Sequence, residues 1–199
     1  EKFGNRKGFR ITEESYMKIL MMLQKSQIKQ PIILMGESGC GKTYLSSYLV
    51  ETILEETLQI ICLFAGFSLD DLDREMQKAI KDAEDLMKLP VKPNCSPKNV
   101  WIFFDEFNTT AIQAQIADIM LDRKFQGKAL PPNLLFIACC NPYRMKLGGK
   151  ASRDIGLVVN QKTSILSHVV HVVPDRLLDI VWNFGQLSEE DEKHHILSM

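Results

Sequence analysis

Residues 36–43 read GESGCGKT and follow directly on the apolar run Pro31-Ile32-Ile33-Leu34-Met35. They fit G-x-x-x-x-G-K-[ST] at every fixed position. A strand-like run precedes them, and a segment follows in which Leu45, Tyr48, Leu49 and Ile53 mark one helical face. A turn of this composition has a physical use. Its glycines let successive backbone N–H groups converge on an anion, and the following helix adds the positive end of its dipole. Gly36, Glu37, Ser38, Gly39, Cys40, Gly41, Lys42 and Thr43 are therefore the candidate phosphate cradle. Lys42 is expected at the β- and γ-phosphates of a nucleoside triphosphate, and the Thr43 hydroxyl on Mg²⁺. A glycine-rich turn with a chance Lys-Thr is the competing reading, and the flanking patterns weigh against it.

Further along, Val100-Trp101-Ile102-Phe103-Phe104 is a continuous apolar run ending in Asp105-Glu106. A buried parallel strand that delivers two carboxylates at its C-terminal end puts them where an α/β nucleotide site needs them. Asp105 is the second candidate metal ligand, acting mostly through water, and Glu106 the group that orients and polarises an attacking water. Acids at strand ends are common, so this pair gains its meaning from the upstream loop. Leu134–Cys140 (LLFIACC) reads as another buried strand and ends in Asn141, expected between the first and third strands near the γ-phosphate. There Asn141 positions water and senses hydrolysis. Asn before Pro142 is also ordinary turn chemistry.

The rest of the chain supplies the scaffold. A helix is expected from Thr12, with Tyr16, Ile19, Leu20 and Leu23 as its stripe. Gln59–Ala65 reads as the second strand. Ser68 caps a long amphipathic helix through Met87, whose Met-containing stripe suits core packing better than a partner groove. Asn108–Thr110 opens a further helix that ends before Gly127, and residues 127–133 form a turn. The β-branched run Ser167–Val173 is expected to be the last strand, and Pro174 to open a helix ended by Gly185. His168 and His171 are three apart, which puts them on opposite faces of a strand and argues against a metal pair.

With 199 residues, 45% hydrophobic and 25% charged, the composition is that of a globular domain able to bury a sizeable core. A net charge of −1 gives no electrostatic reason to expect nucleic acid or an anionic membrane as partner. No apolar run is long enough to span a bilayer. The five cysteines have neither zinc nor disulfide spacing and suit a reducing, cytoplasmic compartment. Cys40 lies in the cradle at a helix start, where a thiol pKa can fall, although such a loop position tolerates many residues. Without an initial Met or a signal-like pattern, the sequence reads as a piece of a longer protein.

This order of elements resembles the AAA+ ATPases. FFDEFNTT, the turn GKALPPN leading into LLFIACCNPYR, and HVVHVVPDRLLDIVWNFGQLSEED are similar to the ATPase modules of the mysterin family, giant RING-finger E3 ubiquitin ligases with a dynein-like row of AAA+ units. RITEESYMKILMMLQ and PIILMGESGCGKT extend the resemblance over nearly the whole chain. It implies an α/β P-loop NTPase fold: a parallel five-stranded sheet in the order 5-1-4-3-2 with helices on both faces. The large nucleotide-binding domain would cover residues 1–173, and 174–199 would begin a helical lid. It implies ATP and Mg²⁺ as cofactors and a Walker A loop at Gly36–Thr43. Asp105 and Glu106 would form the Walker B pair, and Asn141 would be the sensor. Neighbouring modules of the parent chain are the implied partners, exchanging a trans-acting arginine for which Arg144 and Arg153 are this chain's candidates. Ubiquitin transfer and lipid-droplet association belong to the parent. No Cys/His cluster for a RING is in the sequence.

Two function classes then compete. One is an ATP-hydrolysing module, slow without a neighbour's arginine. The other is a structural module that binds ATP with little or no turnover. A GTPase is disfavoured because no Asn-Lys-x-Asp stretch is found, and a nucleic-acid motor has no charge to support it.

Overall fold

The computed structural model describes residues 13–90, 98–142 and 171–185. Its centre is a five-stranded parallel sheet of β1 (Ile32–Gly36), β2 (Thr57–Cys62), β3 (Val100–Asp105), β6 (Leu134–Cys140) and β7 (Val181–Gly185), in the spatial order β2-β3-β6-β1-β7. A small antiparallel hairpin, β4 (Lys124–Phe125) with β5 (Lys128–Ala129), stands apart from it. The helices are α1 (Glu13–Gln27), α2 (Lys42–Ser47), α3 (Leu69–Lys88) and α4 (Gln113–Asp122). A π-helical turn at Tyr48–Ile53 extends α2, and 3-10 turns cover Phe107–Thr109 and Asp175–Ile180.

Strand alternation sorts the core into two layers. Ile33, Val100, Ile102, Phe104, Phe136, Ala138 and Cys140 face α3 and α4, meeting Met76, Ala79, Ala83, Ile116 and Met120. Ile32, Leu34, Trp101, Phe103, Leu135, Ile137 and Cys139 face α1 and α2, meeting Ile19, Met22, Leu45 and Leu49. Helices on both faces explain why β3 and β6 read as unbroken apolar runs. Local chemistry sets the ends. Ser68 and Asp71 form a reciprocal capping box that starts α3. Glu56 accepts from the Asn99 backbone N–H, from Asn99 Nδ2 and from Trp101 Nε1, which fixes where β3 begins.

The expected last strand and first lid helix are corrected. Residues 167–170 lie outside the described part, and His171–Val173 is not a strand. Instead the His171 N–H donates to the Asn108 carbonyl at 2.7 Å and Gln113 Nε2 to the Val172 carbonyl at 2.9 Å. The helix expected from Pro174 is only a short 3-10 turn that buries Leu177, and Val181–Gly185 is the fifth strand. The fifth strand of the sheet thus lies C-terminal to residue 174, at Val181–Gly185. Parallel pairing decides this: Ile33 lies beside Val181, Leu34 beside Trp182 and Met35 beside Asn183, so β7 covers what would be the open edge of β1.

At the end of that pairing Gly36 meets Gly185 across a register shift. A Cβ on Gly36 would lie 2.8 Å from Cys40 Sγ, 3.0 Å from the Gly185 carbonyl oxygen and 3.2 Å from Phe184 Cβ. Backbone cannot yield as a side chain can. Gly36→Ala is expected to cost about 1–3 kcal/mol, the usual size of an overpacking strain, measured by equilibrium urea unfolding.

Candidate functional site

Because the sheet is parallel, β1, β3 and β6 all deliver their C-terminal ends to one edge, and the sequence motifs gather there. A cleft of about 330 Å³ at this edge is lined by Ser38, Gly39, Gly41, Lys42, Thr43, Tyr44, Asp105, Glu106, Cys139, Cys140 and Asn141. The loop curls between β1 and α2 through left-handed backbone at Gly39 (φ 85°) and Gly41 (φ 86°). Only glycine adopts that conformation without strain, which is why the pattern needs it there.

Lys42 is buried and turned back into the loop. Its Nζ donates to the carbonyls of Gly36 and Glu37, both at 2.7 Å, and reaches Asn141 Oδ1 at 3.4 Å and Cys40 Sγ at 3.7 Å. One ammonium thus ties the loop to the end of β6. Thr43 Oγ1 donates to Asp105 Oδ2 at 3.2 Å, joining the first turn of α2 to the end of β3. Strand parity accounts for that contact. Asp105 continues the alternation of Trp101 and Phe103 and therefore faces α2.

Glu106 breaks the strand with a left-handed backbone (φ 54°, ψ 41°) and is exposed at the cleft. Its N–H donates to Asp105 Oδ1 at 3.0 Å, and its carbonyl accepts from Thr109 Oγ1 at 2.8 Å. A non-glycine residue held in this region stores strain and is favoured where a side chain must be aimed. Glu106→Gly should relieve about 1–2 kcal/mol of left-handed cost while adding about 0.5–1 kcal/mol of unfolded-chain entropy. The expected net effect is a small rise in stability, read by urea unfolding, with the carboxylate gone.

Ser38, Gly39, Gly41, Lys42, Thr43, Asp105, Glu106 and Asn141 thus line one cleft, while Gly36, Glu37 and Cys40 belong to the loop without lining it. Arg144 and Arg153 lie outside the described residues. The sequence reading missed two neighbours. Cys139 Sγ donates to Asp105 Oδ1 at 2.8 Å, and its pKa is driven far upward by burial first and then by that carboxylate. Burial also pushes Cys140 up to about 11. Asn108 is fully buried, and its Nδ2 donates to the Asn141 carbonyl at 2.9 Å, linking the turn after Glu106 to the end of β6. Among the described residues its Oδ1 meets no hydrogen-bond donor. The signal for Asn108 was its place two residues after the acid pair, in a segment read only as a helix cap. Among the described residues no group of three or more His, Cys, Asp or Glu side chains could hold a metal by itself. Any cation here needs ligands supplied by something else, such as phosphate oxygens and water.

A glycine loop feeding Lys-Thr into a helix, on a five-stranded parallel sheet and opposite a strand-end Asp, makes an α/β domain consistent with the AAA class. Within that class a sequence model described as the RNF213 AAA domain matches residues 9–144, and the chain belongs to this family, RNF213 being mysterin. The chain is 30% identical over 216 residues to E3 ubiquitin-protein ligase rnf213-beta of Danio rerio, covering 98% of this chain and 4% of that protein. It is 29% identical to the Mus musculus E3 ubiquitin-protein ligase RNF213, over 94% of this chain and 4% of the relative. The Homo sapiens protein of the same name is 28% identical over 96% of this chain and 4% of the relative. The chain therefore spans about 4% of the length of the relatives it matches.

Proposed function

We propose that this chain is a Mg-ATP-binding, ATP-hydrolysing AAA+ module that couples nucleotide state to the conformation of a larger E3 ubiquitin ligase. The observation that carries the proposal is the convergence of Lys42, Thr43, Asp105, Glu106 and Asn141 on one cleft at the C-terminal sheet edge. The residues fit the cofactors. Backbone N–H groups of 37–43 and the Lys42 ammonium would hold the β- and γ-phosphates, and Thr43 with Asp105 would hold Mg²⁺, Asp105 through water. The bound ion supplies neutralisation of charge developing on the phosphate oxygens.

The chain's own groups supply the rest. Glu106, exposed at the cleft rim, orients water and accepts its proton. Asn141, already within reach of Lys42, reports on the terminal phosphate position through the end of β6. Lys42 Nζ donates to the neutral Gly36 and Glu37 carbonyls, and the charged oxygens of a phosphate would be stronger acceptors for it. Arg144 and Arg153 are proposed as the arginines offered to a neighbouring module, and residues beyond Gly185 as the start of the lid. A trans arginine can be worth roughly 10³–10⁵ in turnover, so slow hydrolysis is expected from the chain alone. Cytoplasmic placement and a lipid-droplet association of the parent are carried over from the resemblance; no helix among the described residues is long and apolar enough to cross a membrane.

The test is titration of a fluorescent ATP analogue with and without Mg²⁺, with phosphate release followed in parallel. Saturable magnesium-dependent binding with slow release supports the reading. Binding without any release gives the module a structural role, and no binding overturns the assignment.

A further inference from the structure

We propose that Cys139 is a positioning residue of the magnesium site: its thiol hydrogen holds Asp105 Oδ1 and so keeps Oδ2 turned toward Thr43. The inference rests on the Mg-ATP reading and adds to it a residue that the loop and acid motifs do not contain. Register puts the two side chains together. β3 and β6 pair with Phe103 beside Ile137 and Phe104 beside Ala138, so the next step sets Asp105 beside Cys139. Both continue the alternation that faces the α1–α2 layer.

The Asp105 carboxylate then has three donors: Cys139 Sγ at 2.8 Å and the Glu106 N–H at 3.0 Å on Oδ1, and Thr43 Oγ1 at 3.2 Å on Oδ2. Two donors on one oxygen fix the rotation of the carboxylate plane, leaving the other oxygen for the hydroxyl and for metal-bound water. The sulfur sits almost fully buried in an apolar layer with Leu34, Leu45 and Trp101, where packing alone is served equally well by an aliphatic side chain.

The experiment compares the parent chain with Cys139→Ala, Cys139→Val and Cys139→Ser. Dissociation constants for a fluorescent ATP analogue are measured in EDTA and across a Mg²⁺ titration, alongside thermal unfolding without ligand. Ala and Val remove the donor, one with a cavity and one nearly without. Both are expected to raise the half-saturating Mg²⁺ about tenfold, the low end of effects from residues behind a metal ligand, while the constant in EDTA stays within about twofold. Ser, which keeps a donor, is expected to return the magnesium response toward the parent even if it melts lower. Equal magnesium dependence in all four chains, with differences only in melting, overturns the inference and makes Cys139 a packing residue. A parent chain with no magnesium-dependent binding overturns the functional reading and this inference together.

Discussion

A Lys42→Ala chain is expected to bind ATP at least about a hundredfold more weakly than the parent, because charge-assisted hydrogen bonds contribute about 1.5–3 kcal/mol each and two phosphates lose their cation. The position of the ammonium accounts for this. It is buried beneath the loop, already desolvated, and held on the Gly36 and Glu37 carbonyls within reach of Asn141. Removing it takes a donor from both carbonyls, one of them buried at the end of β1. The stability cost is expected to be about 1–3 kcal/mol, and a melting curve separates the two effects. Binding of the fluorescent analogue is the primary measurement. Equal affinity in the mutant and the parent contradicts the assignment of this loop.

Glu106→Gln is expected to lower phosphate release by roughly 10²–10⁴, the range of a lost general base, while ATP affinity stays within about threefold of the parent. Gln matches Glu in size and shape and carries the same left-handed cost, so the turn and the N–H donated to Asp105 are expected to be retained. Only the proton acceptor is lost. Single-turnover release beside equilibrium binding distinguishes this from a structural defect: a true defect weakens both. Parent and mutant turning over equally slowly identifies a module whose site binds without hydrolysing.

The sheet and the site were legible in the sequence to different depths. Val100–Asp105 and Leu134–Cys140 declared themselves because a strand buried on both faces is apolar throughout and must end where polar groups begin, and Gly36–Thr43 because its glycines and Lys-Thr stand at fixed spacing. The cap at Ser68 was equally plain, since its partner Asp71 lies within the same turn. The fifth strand was not. Val181, Trp182 and Phe184 follow a proline and an apolar cluster that suit a helix, and only pairing with β1 selects the extended form. The hairpin at 124–129 was also missed. It has two residues per strand, and its turn rests on positive φ at Gln126 and Gly127, of which only the glycine announces itself. Cys139 and Asn108 escaped for a related reason. Their partners are Asp105 and Asn141, brought close by strand register and not by sequence spacing.

The contact between Gly36 and Gly185 has a mechanical meaning. The final strand leaves the sheet at the same edge where the loop begins, and its last carbonyl lies 3.0 Å from where a side chain on Gly36 would start. Packing at this point therefore joins the edge strand to the loop: a side chain added at Gly36 would push on Cys40 of the loop and on the Gly185 carbonyl at once.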